Sequence, residues 1–232
     1  MKNDTGQLGV LAEKCAKNLR FPYACGLIEV FGHIRARTCG PTRTRIPPFN
    51  LSPRVRAEDF IIIDLDSVQH GTASLLPGQT PSQLEINKSC PDDGSLGGSP
   101  AVYPTRFGMS DPPLRPTCFP ASIIRDGVPI HPDSWFLVAP ERGRALAHNP
   151  GPHRVAIMQD IEEMLAITYS PEDNVHRTFI SASLGRIDYL SEEAMAVIKP
   201  DLLKNRGPYR SVWAMCEGQA EMAFSFDPVN KT

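Results

Sequence analysis

Apolar residues recur along the first stretch of the chain with the period of a helix. Leu8, Leu11, Ala12, Cys15, Ala16 and Leu19 share one side, with Glu13, Lys14 and Lys17 opposite. Asp4 or Thr5 offers an N-terminal cap, and Phe21-Pro22 is expected to end the helix, because proline forces its predecessor out of the helical region. The period then changes to two. Gly32-His33-Ile34-Arg35-Ala36-Arg37 alternates as a strand does. Phe60-Ile61-Ile62-Ile63-Asp64-Leu65 is a β-branched run that predicts a central strand, and Asp66 to Gly71 suits a hairpin connection.

Apolar patterning resumes at Gly127-Val128-Pro129-Ile130 and Trp135-Phe136-Leu137-Val138. Pro140 at a first helical turn opens a short helix over 141–147, ended by Asn149-Pro150-Gly151. Val155 to Met158 is a short apolar run, and Ile161, Met164, Leu165 and Thr168 continue at helical spacing. Ser170-Pro171-Glu172-Asp173 has the composition of a fresh N-terminus. Ser191-Glu192-Glu193 predicts another helix, closed before Pro200. Strands alternating with helices imply an α/β layout, with helices flanking a sheet.

One tract breaks the pattern. Residues 87–120 hold seven prolines and four glycines with no sustained apolar period. They predict an irregular segment inside the domain, which is uncommon at that length.

Composition narrows the function classes. The 232 residues carry 24 Lys+Arg against 26 Asp+Glu, a net charge of -2, which argues against a dedicated nucleic-acid binder. No apolar run approaches the roughly 18 residues that span a bilayer, so no membrane partner is expected. The start lacks the apolar stretch of a signal peptide, so the expectation is a cytoplasmic protein whose six cysteines are reduced thiols. The length suits one large domain.

Candidate chemistry is sparse. Arg35-x-Arg37, Arg43-x-Arg45 and Arg54-x-Arg56 could each present two guanidinium forks on one strand face, as an anion site; a solvated strand face is the plainer alternative. Six histidines include no H-x-H and no H-x-x-x-H, the spacings of a metal centre, although His148 and His153 bracket a turn. His33 stands at a strand start, where backbone comes close to whatever binds. Glu85 would serve as a general base if desolvation raised its pKa, and is otherwise a surface carboxylate. Asp64 and Asp66 read as caps of a strand end. No nucleophile elbow, P-loop or dinucleotide fingerprint occurs.

Taken in order, these segments resemble the class II aldolase/adducin family. Gly32 to Arg37 is similar to that family's GHVSAR strand, and Ser52-Pro53 falls at its substrate turn. Residues 57–66 resemble its xxDLVxIDLDG segment, and Leu114-Arg115-Pro116 with Gly127-Val128-Pro129 its LRP…GVP stretch. Val155 to Met158 matches its V-x-L-M strand, and 184–193 its closing helices.

The resemblance implies a single class II aldolase-like α/β/α domain over 1–232, with a central, mainly antiparallel sheet. It implies a decarboxylase or aldolase acting on a small hydroxy, keto or aromatic acid, with specialised-metabolite biosynthesis as one setting. The alternative is a non-catalytic adducin-like binding module or inactive pseudoenzyme. Carried over residue by residue, Glu85 is the catalytic candidate, and Gly32, His33 and Ser52 are the substrate-binding candidates. The family is homo-oligomeric and holds a divalent metal, commonly zinc, through an H-x-H on one strand and a third histidine after the V-x-L-M strand. Neither element is legible in this chain, so no metal ligand is assigned. Two short losses of sequence are the expected cause, and strands left without partners the expected consequence.

Overall fold

Strand β1, His33–Arg37, lies at the centre of a five-stranded sheet. The others are β2 at Arg43–Ile46, β3 at Ile61–Asp64, β4 at Ser95–Gly98 and β5 at Val155–Met158, in the order β3-β2-β1-β4-β5. Every neighbouring pair is antiparallel. The computed structural model describes residues 2–24, 33–37, 42–47, 54–66, 76–91, 94–98, 114–124, 138–148, 155–158 and 160–225, with backbone alone at 2–8, 33, 98, 123–124, 148, 155–158, 199, 202–203 and 223–225.

Strand alternation sorts the side chains into two faces. Ile34 and Ala36 pack with Cys15, Ala16, Leu19 and Phe21 of α1 (Lys2–Ala24) and with Met164 and Leu165 of α4 (Ile161–Leu184). Trp213 and Cys216 of α6 (Gly207–Ser225) complete this main core. Burying each of the larger side chains contributes about 1.5–3 kcal/mol, so this face holds most of the apolar stabilisation. The opposite face is covered by α2 (Thr80–Ser89) and α3 (Pro140–His148) through two small clusters. One joins Ile46 of β2, Leu65 and Leu84; the other joins Leu96 of β4, Ile86 and Leu146. The result is three layers, helices–sheet–helices, as expected from the sequence.

α2 and α3 touch backbone to backbone. A Cβ added at Gly143 would lie 2.1 Å from the Ser82 carbonyl oxygen, so only glycine permits this approach.

Several expectations are corrected. The irregular tract predicted over 87–120 contains regular structure: Asn87, Lys88 and Ser89 finish α2, and Ser95–Gly98 is β4, hydrogen-bonded on both sides. Pairing with two strands outweighs the poor strand propensity of Gly97 and Gly98. The expected unpaired strands are not found among the described residues, because β4 joins β1 to β5. Ile61–Asp64 is an edge strand rather than a central one, and Ile62 is exposed on it.

Pro22 and Pro200 do not end helices as expected, and Pro171 does not begin one. α1 continues through Pro22 to Ala24, α4 through Pro171, and α5 (Glu192–Lys204) through Pro200. An internal proline costs about 3 kcal/mol locally. The buried run around Pro171 (Ser170, Glu172, Asn174, Val175) holds α4 continuous across it. Ser191 does cap α5 as predicted, accepting from the Ala194 N–H at 3.2 Å. The hairpin after Asp66, the apolar segments at 127–130 and 135–137 and the stop at 149–151 lie outside the described residues. No described helix is long and apolar enough to cross a membrane.

Candidate active site

Glu85 sits in the middle of α2, and two cations hold its carboxylate. Arg144 of α3 donates Nη1 to Oε2 at 2.7 Å, and Lys88 donates Nζ to Oε1 at 3.2 Å. The Arg144 bond leads in pulling its pKa below the ordinary value, against the opposing effect of partial burial. A general base needs the reverse balance, with desolvation winning. At Glu85, 17% exposed, the balance runs the other way and favours the ionised form. Lys88 also reaches Asp66 at 3.4 Å, which ties α2 to the end of β3. Asp64 accepts the Asp66 N–H at 3.0 Å, the capping role expected of that pair.

Of the substrate-binding candidates, His33 opens β1 opposite Gly98, while Gly32 and Ser52 lie outside the described residues. The arginine pairs part company. Arg37 donates Nη2 to the Asn87 and Cys90 carbonyls at 2.7 and 2.9 Å, binding the C-terminal end of α2, where a cation is favoured. Arg43 is exposed on β2, Arg45 is buried, and Arg54 and Arg56 stand outside any strand.

Arg35 is the exception. It is 1% exposed, and none of its three guanidinium nitrogens has a hydrogen-bond partner. Burial, with the Arg37 charge beside it, pushes its pKa well down. A guanidinium stays protonated in proteins, so that direction measures how unfavourable its surroundings are for a charge. Gln83 Nε2 and Asn87 Nδ2, one turn apart on α2, are likewise buried and unpaired. The sequence flagged the Arg35–Arg37 pair but neither amide, since α2 carries no clear apolar period to place them.

In the tract where the resemblance places H-x-H, Ser95-Leu96-Gly97-Gly98 forms β4. Ser95 Oγ donates to the Asp160 carbonyl at 2.7 Å. A Cβ at Gly97 would lie 2.7 Å from the Met164 sulfur, so any side chain there must displace that thioether. At the second expected position, Asp160 caps α4 through the Glu163 N–H at 2.9 Å and is paired with Arg206. Among the described residues no three His, Cys, Asp or Glu side chains come together as a metal site would need. The residues present at both described positions do not fit the zinc centre that the resemblance implies. Of the six histidines, His176 has a described side chain, and it is exposed on α4. Cys15 is not a nucleophile: burial pushes its thiol up to about 12.

On α4, Asn174 organises a separate hydrogen-bond cluster. Its Oδ1 accepts from the Thr117 N–H and hydroxyl, both at 2.8 Å, and its Nδ2 donates to the Arg115 carbonyl at 2.9 Å. The segment resembling the LRP motif is thereby fastened to α4, with Arg115 lying over the Tyr189 ring at 4.6 Å.

By sequence, no family model and no curated protein matches the chain. By structure, it is similar to L-fuculose 1-phosphate aldolase from Glaciozyma antarctica, with a TM-score of 0.75 at 16% identity over 94% of this chain and 91% of that one. It is similar to an aldolase II superfamily protein from Pseudomonas syringae, with a TM-score of 0.78 at 15% identity over 94% of both. L-fuculose-1-phosphate aldolase from Thermus thermophilus gives 0.60 at 15% identity, over 75% of this chain and 97% of that one. The chain thus has the class II aldolase fold, over nearly its whole length.

Proposed function

We propose that the chain is an aldolase-type carbon–carbon lyase acting on a small hydroxy, keto or aromatic acid, by aldol cleavage or decarboxylation. The observation that supports this is the end-to-end likeness to solved aldolases, which leaves no large part of the domain unaccounted for. Breaking such a bond leaves an electron pair that delocalises onto an adjacent oxygen, and a positive group must receive that charge. Glu85 is the proton-handling carboxylate in this reading once its bond to Arg144 opens, because that pairing and the one to Lys88 oppose the raised pKa a base needs. His33, with Gly32 and Ser52, is the substrate-binding group. No step is routed through a metal, because the described residues do not supply its ligands. The reading includes a homo-oligomer in the cytoplasm, with a role in specialised metabolism.

One observation favours a second reading, that of a non-catalytic module or pseudoenzyme on the same fold. β4, in the tract where the resemblance puts H-x-H, reads Ser95-Leu96-Gly97-Gly98 and carries no histidine. The readings separate in a product assay: purified protein is incubated with a panel of hydroxy, keto and aromatic acids, with and without added zinc, and released aldehyde and carbon dioxide are measured. Turnover that falls in Glu85→Gln supports the lyase. Absence of product across the panel supports the module.

A further inference from the structure

The interface between the sheet and α2 has an unusual charge pattern. Ile46 with Leu84 seals it over β2, and Leu96 with Ile86 seals it over β4. β1 runs between those strands, and on this face it presents Arg35 and Arg37. Arg37 is used, on the last carbonyls of α2. Arg35 is not: Nε, Nη1 and Nη2 are all buried without a partner. The unpaired side-chain atoms that α2 adds, Gln83 Nε2 and Asn87 Nδ2, are donors too. Buried polar groups are nearly always paired, and a charged one left alone is the most unfavourable kind. Here the orphans all lack the same thing, an acceptor.

The motif that Gly32–Arg37 resembles has serine in the fourth position, where this chain has Arg35. That motif carries no charge at the position Arg35 occupies. Arg45 Nε is also unpaired, but Arg45 lies opposite Ala36 and so on the other face of the sheet.

We propose that Arg35, Gln83 and Asn87 form an anion-binding site between β1 and α2, which takes a small carboxylate or phosphate. A guanidinium suits the paired oxygens of either anion, and the two amides supply further N–H donors. The site does not depend on the lyase reading, because anion binding here is complete without turnover.

The test is thermal unfolding of the whole chain in inorganic phosphate, in malonate, and in sodium chloride at equal ionic strength. The expected result is a rise in Tm of about 5 °C or more over chloride, in at least one anion at saturation. The arm that responds separates phosphate from carboxylate. In Arg35→Met the rise disappears, while Tm in chloride stays equal to wild type or exceeds it, because an uncompensated buried charge has gone. Should Arg35→Met not fold, Asn87→Leu is read in its place and is expected to reduce the anion-dependent rise by at least half. A wild type that unfolds alike in all three salts overturns the proposal. So does a variant that responds to the anion as fully as wild type.

Discussion

Arg144 of α3 donates Nη1 to Glu85 Oε2 on α2 at 2.7 Å, so the carboxylate that the sequence offers as a base is held as an ion. Its folded pKa lies below the ordinary value of 4.5. The pair therefore adds stability above that value, and the contribution is lost as pH falls through the folded pKa. In Arg144→Ala, the Glu85 pKa rises toward the ordinary range, and the acid side of the stability curve loses steepness. Carboxyl NMR titration of Glu85 in wild type and variant measures this directly. An unchanged pKa would show that Arg144 does not govern the group.

Gly143→Ala is expected to destabilise the fold by about 1–3 kcal/mol, because the new methyl meets the Ser82 backbone oxygen. Gly97→Ala should cost less, since the Met164 side chain it meets can swing aside. Urea denaturation of both variants gives the comparison, and equal losses would contradict the two contacts as described.

Much of the architecture was legible, for reasons particular residues make plain. Ile34 and Ala36 alternate with Arg35 and Arg37, which gave β1 its two faces before any contact was known. Ser191 with Glu192 and Glu193 carries the chemistry of a helix start, and that chemistry is local. Where structure depends on distant partners, the reading failed. Ser95–Gly98 has little strand propensity and exists as a strand because β1 and β5 pair with it. Pro171 has the local signature of a helix start, which the buried surface of α4 overrides. The orphaned donors of Gln83 and Asn87 depend on which way α2 faces, and its weak apolar period does not say.

Pro171 provides a test of that override. If α4 is continuous, Pro171→Ala restores a backbone donor within the helix and stabilises the protein by about 1–3 kcal/mol. A helix beginning at that proline would be destabilised by the same change, since proline favours a first turn. Thermal unfolding decides between the two signs.

Asn174 is fully buried and makes three hydrogen bonds to Thr117 and Arg115. Asn174→Ala leaves those groups without their partner and should cost about 2–4 kcal/mol. Hydrogen exchange should accelerate at the Thr117 amide well before global unfolding. Retained protection at Thr117 would show that α4 does not anchor this segment.

The proposed lyase chemistry takes place in a fold whose described residues lack the expected metal ligands. Its most direct test is ¹³C NMR of purified protein incubated with labelled hydroxy, keto and aromatic acids, in zinc-supplemented and chelator-treated samples. Cleavage or decarboxylation of at least one acid, falling by about 10²-fold or more in Glu85→Gln, is the predicted result. Folded protein that leaves every acid intact in both samples would contradict it.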